Sequence, residues 1–304
     1  MMKKSKKSRI LLNHDSSKAL PRMLMLPCMV IVAIVFIYPI CYSFLMSFHQ
    51  VDISNQEWQF VGLKNYIQLF QDQYFLKSMA VTGRFTILSV CFEMIMGTLM
   101  AVLLNKNFRG RGFVRGIMII PWALPTVVNA IMWKWIFNAN YGAFNALLSQ
   151  LNLIDTYKAW LAQPNSAFYC LLFANIWKET PYVVLLVLAG LQSIPSELYE
   201  AASADGCGSV RAFFKITLPM LKHILLILVI TKTIWTIQTY DVVSIMTAGG
   251  PASSTQLISY YVQKMSFKFF DFGMGAAMSY IIMLVTFVLS VTYVKSMARN
   301  GEVI

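Results

Sequence analysis

Charge is scarce in this sequence: Asp, Glu, Lys and Arg make up 12% of 304 residues, against about 25% in an ordinary soluble domain. A chain this long could bury a core, but it holds too few polar side chains to cover one in water. Histidine occurs three times, at His14, His49 and His223, all outside the long apolar runs or at their edges. With no nucleophile and base pair in view, no catalytic residue is assigned and an intramembrane enzyme is disfavoured. The five cysteines (Cys28, Cys41, Cys91, Cys170, Cys207) are odd in number and form no CxxC pair. That excludes a disulfide framework and a cysteine metal site at this level. A GxxxxGK[ST] phosphate loop is also missing, so no ATPase site and no cofactor is expected in the chain itself.

What is abundant is apolar: 58% of residues are hydrophobic and the mean hydropathy is +0.61. Lipid is the solvent such a surface requires. A bilayer-spanning helix needs about 20 mostly apolar residues, and six stretches qualify, approximately 22 to 48, 79 to 105, 113 to 137, 167 to 192, 219 to 247 and 273 to 295. The expected fold is therefore an all-α polytopic membrane protein. The first stretch follows a basic run but is too long for the core of a signal peptide, and reads as a retained helix.

The net charge of +12 comes from 25 Lys+Arg against 13 Asp+Glu. Sixteen of those 25 fall in the tails and on one set of alternate connections. Five (Lys64, Lys77, Lys158, Lys264, Lys268) fall on the other, and Arg84, Lys134, Lys178 and Lys232 lie within spans. The positive-inside rule then puts both termini in the cytoplasm. It also accounts for the basic balance without nucleic acid, since no aromatic-interleaved basic groove is present.

Glu93, Lys178, Glu179, Lys232 and Asp241 lie inside the proposed spans, each costing about 2.5 to 3.5 kcal/mol at the bilayer centre. They are expected to face protein or water. Arg84 and Lys134, nearer span ends, are expected to snorkel. Neighbours in sequence, Lys178 and Glu179 point about 100° apart on a helix, so each is expected to need another partner. Pro181 follows and favours a kink or break. Lys232, Thr236 and Thr239 share one helical face at i, i+4, i+7, beside Trp235, Tyr240 and Asp241. That stripe suits a hydroxylated ligand, with interhelical hydrogen bonding as the structural alternative. Pro121, Pro125 and Asn129 give the third span a broken start. Trp133 and Trp135, near its outer end, read as interfacial belt residues.

Between the fourth and fifth spans, 193–221 reads as a short helix, a glycine break and a second helix. Ser193 is a candidate N-cap and Pro195 suits the first turn, with Glu197 and Glu200 early where the dipole favours acids. Gly206 and Gly208 end that helix before Phe213, Phe214, Ile216 and Pro219.

The pattern Glu200-Ala201-Ala202, Asp205-Gly206, then Phe214, Ile216, Leu218 and Pro219 resembles the EAA loop of binding-protein-dependent ABC importer permeases. FVGLKNY (60–66), IFNANYGAFNALL (136–148) and TAGGPASST (247–255) resemble the carbohydrate branch of that family, the maltose, trehalose and glycerol-phosphate type, and the likeness runs from about 22 to 295. It implies the type I importer permease fold: a basic tail at 1–21, a six-helix domain at 22–295 carrying the EAA loop at 193–219, and a tail at 296–304. In such proteins the loop forms a coupling helix that docks in a cytoplasmic ATPase. Glu200, Ala201, Ala202, Asp205 and Gly206 would make that contact, with Cys207 standing where alanine is usual.

By the same resemblance Lys178, Glu179, Tyr182, Lys232, Thr236 and Thr239 take the positions that line the substrate pathway. Three of them are charged where the maltose type has uncharged residues. A hydroxylated substrate or a phosphate-bearing one would suit them, and in paired permeases one subunit alone can hold the sugar. Implied partners are a second homologous permease, two ATPase subunits that bind ATP and Mg, an extracytoplasmic sugar-binding protein, the sugar and the lipid bilayer, in a bacterial cytoplasmic (inner) membrane. The rival reading is an ion-coupled secondary transporter using Lys178, Glu179, Lys232 and Asp241 as a charge relay; it has no use for an EAA loop.

Overall fold

The computed structural model describes residues 16–52 and 57–299, and the tails expected at 1–21 and 296–304 lie mostly outside the described residues. The chain is a helical membrane bundle, as composition and run length require. Five stretches are long and apolar enough to cross a bilayer: Leu24–Met46, Gln73–Asn105, Pro164–Gln192, Ser209–Ile237 and Phe272–Lys295. Counted as one span, the bent pair Arg111–Ala123 with Thr126–Ile136, turned by 95°, makes a sixth.

In chain order, α1 (Ser16–Val32) and α2 (Tyr38–Met46) flank a π turn at Ala33–Ile37. A small hairpin follows, β1 (His49–Asp52) antiparallel to β2 (Glu57–Phe60) with His49 opposite Phe60; nothing in the apolar runs announces it. Next come α3 (Lys64–Gln71), the long α4 (Gln73–Asn105), α5 (Arg111–Ala123), α6 (Thr126–Ile136) and α7 (Ala143–Gln150). Then α8 (Pro164–Gln192), α9 (Ser196–Ala204), α10 (Ser209–Ala212), α11 (Leu218–Ile237), α12 (Asp241–Met246), α13 (Ile258–Phe267) and α14 (Phe272–Arg299) complete the chain.

Three expected spans come out differently. The third breaks in its middle instead of near its start, because Pro125 holds Leu124 extended (φ −70°, ψ 138°). The fourth passes through Pro181 without a break; packing of α8 along α4 holds the helix across the missing hydrogen bond. The fifth stops at Ile237 instead of 247, where the polar run Gln238 to Asp241 offers the backbone side-chain partners that compete with helix. It also starts earlier, since α10, a π turn at Phe213–Thr217 and α11 run on as one stretch.

Both π turns have one cause. The residue after each is followed by a proline, Pro39 or Pro219, which supplies no N–H and whose ring crowds the carbonyl four residues back. The ladder slips by one: the Tyr38 N–H bonds Ala33 O and the Leu218 N–H bonds Phe213 O.

The core is the contact of α4, α8 and α11, built from Ala101, Leu104, Val183, Val187, Leu188, Leu191, Leu221 and Leu228. Lipid is as apolar as leucine, so helices in it associate by close approach of small residues. Gly97 lets α8 in, for a Cβ there would lie 2.6 Å from Val183 Cγ1; one on Gly190 would lie 2.4 Å from Ile224 Cδ1. From Leu24 to Leu45, by contrast, the large apolar side chains of the first span are exposed.

The connections on one side of the bundle interlock. Fully buried Asn145 donates to the carbonyls of Asn138 and Lys158 and accepts from the Lys158 N–H and the Trp160 indole. Thr255, also fully buried, lies 2.7 Å from the Thr247 hydroxyl and donates to Gly250 O. Asn65 donates to Ser47 O and His49 O. The Tyr261 hydroxyl donates to Asp72 Oδ2 at 2.5 Å.

Candidate functional site

A polar cavity of about 280 Å³ opens beside the unbroken middle of α8, where α11 ends and α6 and α12 begin. Thr126 comes from the start of α6 just past the bend, and Asn175, Lys178 and Glu179 from the middle of α8. Lys232, Trp235 and Thr236 come from the last turns of α11, and Gln238, Thr239, Tyr240, Asp241 and Val242 from the break and the start of α12. Ending α11 inside the bundle leaves its last carbonyls unpaired within the helix. The side-chain hydroxyl of Ser259 on α13 takes up the Thr239 carbonyl from behind.

Four charges run through the cavity wall as one chain. Lys178 Nζ donates to Glu179 Oε1 at 3.2 Å, and Lys232 Nζ donates to Glu179 Oε2 at 2.6 Å. Lys232 Nζ also lies 3.1 Å from Glu93 Oε2 on α4, an ion-pair contact lacking hydrogen-bond angles. Asn175 donates to the other oxygen of Glu93 at 3.2 Å and to Ser89 Oγ at 3.3 Å. Exposure falls along the chain: side-chain accessibility is 20% for Glu179, 10% for Lys178, 1% for Lys232 and 0% for Glu93. Glu179 and Lys178 thus border the cavity, while Glu93 backs it.

Lys178 and Glu179 were each expected to need another partner: Glu179 has one in Lys232, but the two also pair with each other. Both side chains are long enough for their tips to converge despite the angle between their Cβ directions, and Glu179 bridges two lysines. Lys178, Glu179, Lys232, Thr236 and Thr239 all line one cavity. Thr239 does so from beyond the end of α11, not from its face. Tyr182 does not line it. Its ring packs between Trp122, at 5.7 Å, and Trp235, at 5.0 Å, and meets the cavity only through Trp235. Trp235, Tyr240 and Asp241, read as flanking the stripe, line the cavity too; Asn175, Gln238 and Thr126 were missed, and Asn175, three residues before Lys178 on the same helical face, carried a signal that could have found it.

The other embedded basic residues have protein partners. Arg84 donates to the Tyr169 hydroxyl at 2.9 Å and lies 4.4 Å over the Phe168 ring. Lys134 donates to Ile245 O at 2.7 Å, at the carbonyl end of α12, where a cation is favoured. Trp135 is exposed as a belt residue would be, whereas Trp133 packs against Phe137, Phe173 and Trp177.

Away from the cavity, α9 carries the loop residues. Glu200, Ala201, Asp205 and Gly206 are exposed and Ala202 is half-buried. Pro195, not Ser193, is the N-cap; Ser193 caps the end of α8, its hydroxyl on Gly190 O. The C-terminus closes as a Schellman motif, with the Cys207 N–H on Ala202 O, the Gly206 N–H on Ser203 O, and Gly206 left-handed at φ +72°. The Tyr199 and Thr217 hydroxyls meet at 2.9 Å and tie α9 to the π turn.

Residues 93–298 match the family described as Binding-protein-dependent transport system inner membrane component. The trehalose/maltose transport system permease protein MalF of Thermococcus litoralis is 37% identical, over 90% of this chain and 92% of its own. The sulfoquinovosyl glycerol transport system permease protein SmoG of Agrobacterium fabrum is 33% identical, over 90% and 88%. The sn-glycerol-3-phosphate transport system permease protein UgpA of Salmonella typhimurium is 32% identical, over 93% and 96%. Among solved structures, a chain of a bacterial ABC transporter that imports the acidic polysaccharide alginate shares the fold, with a TM-score of 0.82 at 22% identity over 93% of this chain and 96% of that one.

Proposed function

This chain belongs to the family of binding-protein-dependent transport system inner membrane components, and from that premise we propose that it is one permease subunit of an ATP-driven carbohydrate importer. The observation that carries the proposal is the polar cavity at the helix breaks, which gathers Lys178, Glu179, Lys232, Thr236 and Thr239 inside an otherwise apolar bundle. Such a cavity is where a hydroxylated substrate finds the hydrogen bonds that lipid denies it. The relatives named above, permeases for sugars or glycerol esters, support the substrate class.

Energy comes from outside the chain. We assign the exposed helix α9, with Glu200, Ala201, Ala202, Asp205 and Gly206, to docking on an ATPase subunit; ATP and Mg act there. Two ATPases, a second homologous permease and an extracytoplasmic sugar-binding protein complete the assembly. The exposed apolar face of the first span supports a further membrane partner. A related bacterial alginate transporter, solved in complex with an alginate pentasaccharide-bound periplasmic protein, supports the binding protein. Both termini lie in the cytoplasm, so the interlocked connections after the first, third and fifth spans face the binding protein.

The assembled complex in proteoliposomes tests this through ATP hydrolysis with and without sugar-loaded binding proteins. Glu200→Lys and Gly206→Pro are expected to abolish stimulated hydrolysis while the complex still assembles; intact stimulation in both would remove the coupling role. Lys178→Ala and Thr236→Leu are expected to lower uptake by tenfold or more (about 1.4 kcal/mol per decade), and unchanged uptake in both would move the sugar to the partner permease.

A further inference from the structure

We propose that this cavity selects uncharged hydroxylated substrates against anionic ones, with Asp241 on its wall and Glu93 behind it setting the charge; the inference rests on the carbohydrate-permease reading above. Two lysines in a membrane cavity would by themselves suit a phosphate or sulfonate. Here both are already engaged. Lys232 Nζ lies between Glu179 Oε2 at 2.6 Å and Glu93 Oε2 at 3.1 Å, and Lys178 Nζ lies on Glu179 Oε1 at 3.2 Å.

The formal charges decide the sign. Lys178 and Lys232 are matched by Glu179 and Glu93, and Asp241 adds a third carboxylate to the wall with no ion pair among the described residues. Counted with every acid and base ionised, these five side chains sum to one net negative charge. An entering anion would meet that charge, or would have to pull a lysine from its carboxylate and leave the acid unpaired where little water screens it. A polyol meets no such barrier. Its hydroxyls can donate to Asp241 and exchange hydrogen bonds with Thr236, Thr239, Gln238 and Asn175, whose groups donate and accept in either sense.

Asp241 is the residue a substrate can touch. Glu93 is fully buried and acts through Lys232, so it is a positioning residue: it holds the ammonium back and cancels its charge from the far side. Replacing it by Gln keeps the shape and the Asn175 contact but releases one positive charge toward the cavity.

The test reads the cavity's charge directly. In the assembled complex, with the native cysteines changed to Ser, Thr239→Cys and Thr126→Cys are labelled separately. The reagents are a trimethylammonium-ethyl and a sulfonato-ethyl methanethiosulfonate, each rate being divided by its rate with mercaptoethanol. The cationic reagent is expected to lead by about tenfold, the order of effect for one net charge at several ångströms in a partly screened site. Glu93→Gln or Asp241→Asn is expected to cut that lead several-fold, a change that merely loosened packing would not produce. Equal normalised rates, a lead for the anionic reagent, or protection of the introduced thiols by glycerol 3-phosphate would overturn the proposal. The carbohydrate reading fails separately, by a complex whose ATP hydrolysis no sugar-loaded binding protein stimulates while the cationic preference persists.

Discussion

Lys232 is the residue on which the cavity's electrostatics turn, since it alone touches both glutamates. Removing a single partner from a buried ion pair costs about 3–5 kcal/mol, because the other charge stays buried without compensation. Lys232→Met is therefore expected to lower the thermal midpoint of the detergent-solubilised complex sharply. Glu93→Gln added to it should recover most of the loss, as Glu179 is partly exposed and keeps Lys178. If the double variant were no more stable than the single one, Glu93 would not be the charge left stranded. The sequence marked each of these residues as costly in lipid, which is why Glu93, Lys178, Glu179, Lys232 and Asp241 can be picked out from their places in the apolar runs. It did not show that four of them form one chain, because helical periodicity says which face a residue occupies and nothing about which helix lies opposite. Tyr182 shows the same limit: its position on α8 suggests the cavity, but the ring turns between Trp122 and Trp235.

Helix α8 depends on two close glycine contacts, at Gly97 and Gly190, unlike open positions such as Gly83. A larger residue at position 190 has Ile224 and Leu221 in its way, whereas nothing lies within 4 Å of a Cβ at position 83. Gly190→Leu should destabilise the fold by about 1–3 kcal/mol or more, the range for forced overpacking, while Gly83→Ala should be neutral; matched unfolding curves for the two would refute the close approach. At α9, Gly206→Ala is expected to cost about 1–2 kcal/mol through its left-handed backbone, seen as fraying of that helix by hydrogen exchange. The extent of most spans was readable from apolar run length. The bend at 124–125 and the end of α11 were read less well: Pro125 signalled a break but not its place in mid-span, and the polar run Gln238 to Asp241 is too short to end an apolar stretch read by length alone. The motifs at 60–66, 136–148 and 247–255 include the residues that brace the interlocked connections: Asn65, Asn145 and Thr255 are buried hydrogen-bonding centres.

Across the whole molecule, the interlocked side ties distant segments together, as Tyr261 on α13 does against Asp72 at the head of α4. Burial, and then the hydrogen bond to the Asp72 carboxylate, push the Tyr261 phenol above its ordinary value. The folded state thus favours the protonated phenol, so its stabilisation is complete below the ordinary pKa of about 10 and is lost as pH rises beyond it. The protection of α13 against hydrogen exchange, taken relative to the intrinsic base-catalysed rate, should fall above that pH in the wild type, and Tyr261→Phe should remove that fall. The π turn at Phe213–Thr217 works at the same scale. It holds one residue more than an α-helical turn would, and it lies between the exposed loop helix and the stretch ending at Lys232 and Thr236. Deleting a single residue there would let the turn close as an α-helical one with the helix beyond it still in phase, whereas deleting one from the regular turns of α11 before Lys232 would rotate everything beyond it by about 100°, swinging the lysine away from its glutamates without altering any residue in the cavity. The π turn is in this sense a slip joint, the one place described along this helix where its length can change by a residue while Lys232 keeps its register.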